Sequence, residues 1–268
     1  MKIAITLLCA ALLLVCSWAK ASFITMATDF SVTETPDGPV LMVSTRNQGD
    51  EAAYGVQYEV QTGDAQFTSS VVPRLAVNEQ LAEQYSVDGA FGLPGHYPII
   101  IKTHFKDANG YPFSALRVAF HDYQQPVVSK ILIRAEAVSI PSNGKGKVSF
   151  VIRNTDSVAR DLDLVLQLPD ELVVVSERQS LKLDPGSEEQ LQFMIENFSA
   201  LENSSYAIAL VAQYEDDEHH YSSAGPAVVR ITGPSMGSGS WNWKLGGSVS
   251  ILLIVLLVVF LRHKRRPS

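Results

Sequence analysis

LMVSTRN (residues 41–47) and VSFVIRN (residues 148–154) share one pattern: alternating apolar positions that run into Arg-Asn and then into a polar turn. Leu41, Val43, Thr45, Arg46 and Asn47 align with Val148, Phe150, Ile152, Arg153 and Asn154 at a constant offset of 107. A period of two is the mark of a half-buried strand. Its recurrence at a fixed distance points to a duplicated module.

Working outward, three more blocks follow in the same order. GVQYEVQ (55–61) is succeeded by DLDLVLQ (161–167), and Leu75-Ala76-Val77-Asn78 by Leu181-Lys182-Leu183-Asp184. Tyr97, Ile99, Ile101, Phe105 and Asp107 align with Tyr206, Ile208, Leu210, Tyr214 and Asp216 at offset 109. Drift of a residue or two between blocks is what loop insertions produce. Turn signals such as Asp37-Gly38, Asn109-Gly110, Asn143-Gly144 and Pro185-Gly186 separate the runs. No stretch between the two ends has a helical period, so the expected fold is all-β: two tandem immunoglobulin-like β-sandwiches plus one C-terminal transmembrane helix.

The alternation also names the core. Tyr97, Ile99, Ile101 and Phe105 should face inward and Lys102, His104 and Lys106 outward, with Leu162, Leu164, Leu166 and Leu168 doing the same inward work in the second copy. Tyr97 and Tyr206 each open a long strand after a Leu-containing bend, the placement of a tyrosine corner whose hydroxyl bonds nearby backbone.

The ends read differently. MKIAITLLCAALLLVCSWAKAS has Lys2, an apolar run from Ile3 to Val15 and small residues at Ala19 and Ala21, a secretory signal peptide cut after Ala21. Both cysteines, Cys9 and Cys16, fall inside it. The exported part is then without thiols, which excludes disulfides, zinc–thiolate sites and a cysteine nucleophile and favours a bacterial periplasm. Residues 245–261 are 17 positions without a charge, about 26 Å as a helix, at the lower end of what spans a bilayer. Trp241 and Trp243 precede this run as interfacial rings, and Arg262, Lys264, Arg265 and Arg266 follow it as a cytoplasmic cluster. Expected boundaries are therefore 1–21 signal peptide, 22–125 first sandwich, 126–232 second sandwich, 233–244 Gly/Ser linker, 245–261 membrane helix and 262–268 basic tail. The protein is expected in the inner membrane, single-pass, with its ectodomain in the periplasm or outside.

Between the signal and the anchor the chain carries 14 Lys and Arg against 28 Asp and Glu, a formal charge of −14. That balance disfavours nucleic acid and anionic surfaces as ligands and suits a basic partner or divalent cations. Glu215-Asp216-Asp217-Glu218-His219-His220 is the densest polar run, with Asp216 and Asp217 as weak cation candidates. It lacks the staggered spacing of a calcium loop and aligns with the Lys106–Gly110 hairpin turn, so a solvated tip is expected and no metal or cofactor. His96, His104 and His121 read as surface groups. No nucleophile elbow, phosphate loop or dinucleotide fingerprint occurs, and the chain is expected not to be an enzyme. A hydrolase would need a concave polar pocket between the two copies.

RNTD (153–156), LKLDPG (181–186) and SYAIALVAQYEDD (205–217) resemble the bacterial CARDB-like immunoglobulin-fold modules. The first copy departs from that pattern, with LAVNEQ (75–80) in place of the Pro-Gly step. The resemblance implies adhesion or accessory binding, here protein–protein contacts with an envelope or secretion-system protein, alongside the lipid bilayer through the C-terminal helix. Glycan binding is the alternative. Gly246-Gly247, the short apolar run and the basic end resemble GlyGly-CTERM sorting tails, which implies proteolytic removal of the tail as a further alternative to a retained anchor.

Overall fold

The computed structural model describes residues 23–174 and 178–234. The expected signal-cleavage positions Ala19 and Ala21, the expected interfacial Trp241 and Trp243, the expected tail-processing positions Gly246 and Gly247, the apolar run 245–261 and the basic Arg262, Lys264, Arg265 and Arg266 lie outside the described residues. Among the described residues no helix is long and apolar enough to cross a membrane.

The described chain is all-β. Its first half holds β1 (Met26–Thr35), β2 (Gly38–Asn47), β3 (Ala53–Thr62), β4 (Ala65–Thr68), β5 (Val72–Leu75), β6 (Gln80–Ser86), β7 (Gly95–Lys106) and β8 (Pro112–Tyr123). The second half holds β9 (Ile131–Ala135), β10 (Val138–Pro141), β11 (Lys145–Asn154), β12 (Arg160–Gln167), β13 (Leu172–Val174), β14 (Arg178–Leu183), β15 (Glu188–Asn197), β16 (Ser205–Glu215) and β17 (His220–Thr232).

These strands build two sandwich-like layer pairs. β1, β2 and β6 form a three-stranded sheet facing β3 and β7, and Leu41, Val43, Val56, Tyr58, Ile99 and Ile101 fill the space between. β13, β15, β11 and β9 form a four-stranded sheet facing β12, β16 and β17, with Val148, Phe150, Leu164, Leu166, Phe193 and Leu210 between them. Burying each of these large side chains contributes about 1.5–3 kcal/mol, so each core is a substantial source of stability. The expected inward residues Tyr97, Ile99, Ile101 and Phe105, and Leu162, Leu164, Leu166 and Leu168, are all buried. The layers that face these two small sheets are one continuous sheet of ten strands, running β14-β12-β16-β17-β7-β3-β4, with β10, β5 and β8 attached.

The duplication is visible in two buried asparagines. Asn47 Nδ2 donates to the Glu51 and Leu75 carbonyls at 2.7 and 3.3 Å, and its Oδ1 accepts from Gly49 N–H at 3.0 Å. Asn154 Nδ2 donates to the Val158 and Leu183 carbonyls at 2.9 and 3.2 Å, and its Oδ1 accepts from Asp156 N–H at 2.9 Å. Both side chains are fully buried and tie a strand end to the turn that follows it and to a neighbouring loop. The alternating run that leads into each Arg-Asn is thus pinned at its end by the asparagine itself.

These bonds also correct one alignment. Leu75 corresponds to Leu183 rather than to Leu181, because each offers its carbonyl to the buried asparagine and each is buried at the end of its strand. Asn78 then falls opposite Gly186, and both are left-handed, at φ 66° and 70°. The first copy does keep the turn: Asn tolerates the left-handed region where the second copy uses glycine.

The tyrosine corners form as expected. Tyr97 O–H donates to the Leu93 carbonyl at 2.8 Å and accepts from Leu93 N–H at 3.1 Å, and the Tyr206 hydroxyl accepts from Leu201 N–H at 3.0 Å.

Replacing Asn47 or Asn154 with alanine orphans buried carbonyls and one N–H in each case. The expected loss is about 3 kcal/mol of unfolding free energy for either variant, read from denaturant unfolding of the full chain. A loss below about 0.5 kcal/mol would show that these amides are not the pins described.

Candidate functional site

The site is the seam where the two sandwiches meet and the cleft that opens beside it. At the seam, β17 runs beside β7 in parallel at one pair, His220 opposite Gly95. The His220 N–H donates to the Pro94 carbonyl at 3.0 Å. The approach is so close that a Cβ on Gly95 would sit 2.0 Å from the His220 carbonyl oxygen, so no other residue fits there. The His220 ring lies flat on Tyr97, with centroids 4.0 Å apart and planes within 4°. Ser222 Oγ donates to the His96 carbonyl at 2.6 Å.

A second set of bonds crosses the seam from the loop between β12 and β13. Glu171 is only 2% exposed, and its two carboxylate oxygens accept from Ser114 N–H at 2.7 Å and Ser114 Oγ–H at 2.6 Å. The adjacent Asp170 N–H donates back to Ser114 Oγ at 2.8 Å. The Asp170 carboxylate pairs with Lys102 Nζ at 3.0 Å and His104 Nδ1 at 2.7 Å. The His104 bond, aided by Lys102 and opposed by burial, holds the Asp170 carboxyl down to about 2. Tyr111 O–H reaches the Ser199 carbonyl from the β7–β8 turn.

Apolar contact completes the seam. Ile100 on β7 and Ala209 and Val211 on β16 point away from their own cores, yet they are 8%, 4% and 0% exposed. β17 lies against β7 and β16 against β8, so these outward positions are covered by the other sandwich. The outer face of each half is part of a second, inter-sandwich layer.

Beside the seam the ten-stranded sheet is concave. One hollow of about 410 Å³ is lined by Gln61, Asp64 and Tyr97 from the first sandwich and by Asp163, Gln213, Glu215 and His220 from the second, with Arg178 at its rim. It continues into a hollow of about 350 Å³ that shares Gln61 and Arg178 and adds Glu59, Lys102, Val165 and Gln167. Arg178 stands 3.6 Å from Asp163. A smaller, apolar hollow of about 180 Å³ on the other side is bounded by Phe105, Phe113 and the exposed Phe198.

A concave polar cleft between the copies therefore exists, which is the feature a hydrolase would require. The residues lining it include no Ser, Thr or Cys that could act as nucleophile beside His220.

The cation candidates Asp216 and Asp217 sit in the β16–β17 turn. Asp216 Oδ1 accepts from Glu218 N–H at 3.1 Å and His219 N–H at 2.9 Å, and its other oxygen faces Arg160 at 3.9 Å. Its lone pairs are used in closing the turn, while Asp217 is exposed. Among the described residues no group of three or more His, Cys, Asp or Glu is placed to hold a metal ion.

The histidines depart from expectation. His96, His104 and His121 are partly buried rather than surface groups. His96 Nδ1 bonds Asp122 at 2.6 Å and its ring stacks on Phe120, whereas burial pushes the His121 imidazole below its ordinary value despite the nearby Asp122 and Glu34. Of the residues that make the seam, Gly95, Ser114, Asp170 and Glu171 carry no signal in the sequence, and His220 stands out there only as the end of the Glu215–His220 polar run. One signal for it was present: IleIleIle at 99–101 and IleAlaLeuValAla at 208–212 break the alternation, as strands buried on both faces do.

No family model matches this chain, and no curated protein matches it. Among solved structures it is similar to Escherichia coli α2-macroglobulin in its native conformation, at 10% identity and TM-score 0.32, over 78% of this chain and 17% of that one. It is also similar to the E. coli chaperone DraB, at 12% identity and TM-score 0.29, over 42% and 58% of the two chains. Red sea bream transglutaminase gives 10% identity and TM-score 0.28, over 78% and 32%. This chain thus spans less than a fifth of the macroglobulin and about three fifths of DraB or less, and at such scores neither fold nor function carries over from them.

Two outcomes test the seam. Gly95→Ala is expected to uncouple the sandwiches, converting a single cooperative thermal transition of the full chain into two; a retained single transition at unchanged midpoint contradicts the assignment. Because the folded carboxyl of Asp170 lies below its unfolded value near 3.9, its contribution is fully present above about pH 4 and is lost as pH falls toward about 2. Asp170→Asn should flatten that part of the stability–pH curve, and an unchanged curve would show that the pairing does not hold the seam.

Proposed function

We propose that this chain is a membrane-tethered, non-enzymatic recognition protein: two immunoglobulin-like sandwiches of the CARDB-like kind, presented on the periplasmic or outer side of the membrane and acting through contacts with an envelope or secretion-system protein. The observation that carries this reading is the cleft itself. A concave sheet face formed jointly by two docked sandwiches supplies a surface neither half has alone, and its lining offers amides, carboxylates and a guanidinium rather than a catalytic constellation. The secretory signal and the single C-terminal apolar run support placement outside the cytoplasm, with a linker whose reach is about 15 Å for eight residues keeping the head near the bilayer.

Glycan recognition is the second reading, favoured by the amides Gln61 and Gln213, which line the cleft together with Tyr97. It is weakened by the position of the exposed large aromatics. Among the described residues Phe23 and Phe198 are the exposed ones, and neither lines the polar cleft.

A photo-crosslinking residue at Gln213 of the full chain, expressed in its native host, should yield a discrete adduct with an envelope protein. The same probe at Glu188, on the opposite sheet, should not. Absence of any adduct from Gln213 counts against protein recognition. Mass spectrometry of the purified protein should show a new N-terminus at Ser22 and an intact C-terminus at Ser268; an end near Gly247 would replace the anchor with a removed sorting tail.

A further inference from the structure

We propose that the outer edge of β8 receives an extended segment of another protein as an added strand, one that carries an Asp or Glu beside Arg117. This edge lies apart from the polar cleft, whose lining includes no residue of β8, so it is a second surface beyond the one described above.

The backbone carries the first part of the argument. β8 pairs one to one with β7 along all 12 of its residues, without a bulge, and among the described strands it pairs with no other. Ser114 shows which groups face away from β7, because its N–H donates instead to Glu171 Oε1 at 2.7 Å. Backbone groups of an antiparallel strand alternate between its two edges, so the N–H and C=O of Leu116, Val118 and Phe120 point off the same side as those of Ser114. Pro98 agrees with that phase: it lies opposite Phe120, at a pair where β7 has no N–H to give. Among the described residues no hydrogen bond reaches the outward backbone groups of Leu116, Val118 or Phe120. Glu171 of the second sandwich thus caps the start of the edge and leaves the rest open.

Other edges of the molecule are blunted in the ways that discourage strand addition. β4, β5, β9 and β13 have 4, 4, 5 and 3 residues, and β14 carries Arg178 and Lys182. β8 is the longest of the edge strands among the described residues. Its middle, LRVAF (116–120), holds a single charge, and the partly buried Leu116, Val118 and Phe120 offer a row of apolar neighbours to alternate residues of an incoming strand.

That single charge selects the occupant. Arg117 is exposed and has no ion-pair partner among the described residues. It lines a hollow of about 370 Å³ with Asp29 and Arg46, where Asp29 Oδ1 accepts from Phe30 N–H at 3.0 Å. An unpaired guanidinium at the centre of an open edge is matched by one carboxylate on the added strand. A second copy of this chain does not supply it through β8. Asp122, the only carboxylate of β8, differs from Arg117 by five positions and therefore points to the other face. Two β8 edges paired in one sheet set Arg117 against an odd-numbered residue, Ala115, Arg117, Ala119 or His121, none of them anionic. The −14 charge of each copy between signal and anchor adds repulsion.

The probe is a random peptide library of the length of β8, 12 residues, panned on the immobilised full chain. Enriched peptides are expected to alternate apolar residues, to lack proline and to share one Asp or Glu. Val118→Pro removes an outward N–H and no bond to β7, so it should keep its thermal midpoint and bind such a peptide at least about tenfold more weakly. Arg117→Ala should cost about tenfold and erase the advantage of the acidic residue over its amide. Methylating the peptide's backbone nitrogens at every second residue should abolish binding in one phase and spare it in the other, a reading that holds even if Val118→Pro does not fold. No enrichment, equal loss or equal tolerance in both methylation phases, or unchanged binding to folded Val118→Pro overturns strand addition. Enriched peptides without a carboxylate, or full binding to Arg117→Ala, overturn the assigned partner chemistry. A dimer of the full chain that Val118→Pro dissociates overturns the proposal in favour of a second copy. Recognition through the cleft is read separately, by the Gln213 adduct, which Val118→Pro should leave unchanged.

Discussion

One close approach governs the arrangement of this molecule: the backbone of Gly95 against that of His220. Only a residue without a Cβ lets β17 come so near β7, and that contact turns two half-sheets into one of ten strands. The functional surface follows from it. The flat stack of His220 on Tyr97, the burial of Ile100 and Val211 on outward faces, and the two-walled cleft all require the halves to be docked at this point. Chain connectivity alone would leave two beads joined by a short linker. The seam makes them a single head.

The seam joins apolar contact to buried polar pairing, and the polar part has physical consequences. Glu171 is almost fully buried, and leaving its carboxylate unmatched would be expensive; both oxygens are met by Ser114. Burying a charge with matched donors adds geometric specificity, because a slipped register leaves it unpaired. Lys102 and His104 belong to the face of β7 that alternation assigns to solvent. They meet Asp170 there, so the charged face of one sandwich is the docking face for the other. One of the two tyrosine corners, Tyr97, serves as both core plug and seam platform.

Much of this could be read from residues, and the parts that could not have reasons. The strand character and the core were legible because period-two alternation and the Arg-Asn ending repeat at a fixed distance, and the asparagines prove to be the pins that make that ending necessary. The Leu75 block was aligned two residues out because Leu-x-Leu fits its own image at any even shift; only the asparagine bonds and the left-handed Asn78 and Gly186 set the register. The histidines read as exposed because the sequence of a strand says which face is outward, not what covers it. The seam residues come from turns and loops far apart in the chain, where no period exists to be read. What could have betrayed the seam was the failure of alternation in IleIleIle and IleAlaLeuValAla, a sign of burial on both faces.

The central claim is that the two sandwiches form one rigid head. Its most direct test is the distance distribution between spin labels placed at Ala82→Cys on the first sandwich and Glu189→Cys on the second, measured by double electron–electron resonance in the full chain carrying Cys9→Ser and Cys16→Ser. A docked head gives a single narrow distribution that is unchanged across moderate salt. A broad distribution, of the width expected for two domains swinging about a short linker, would contradict it.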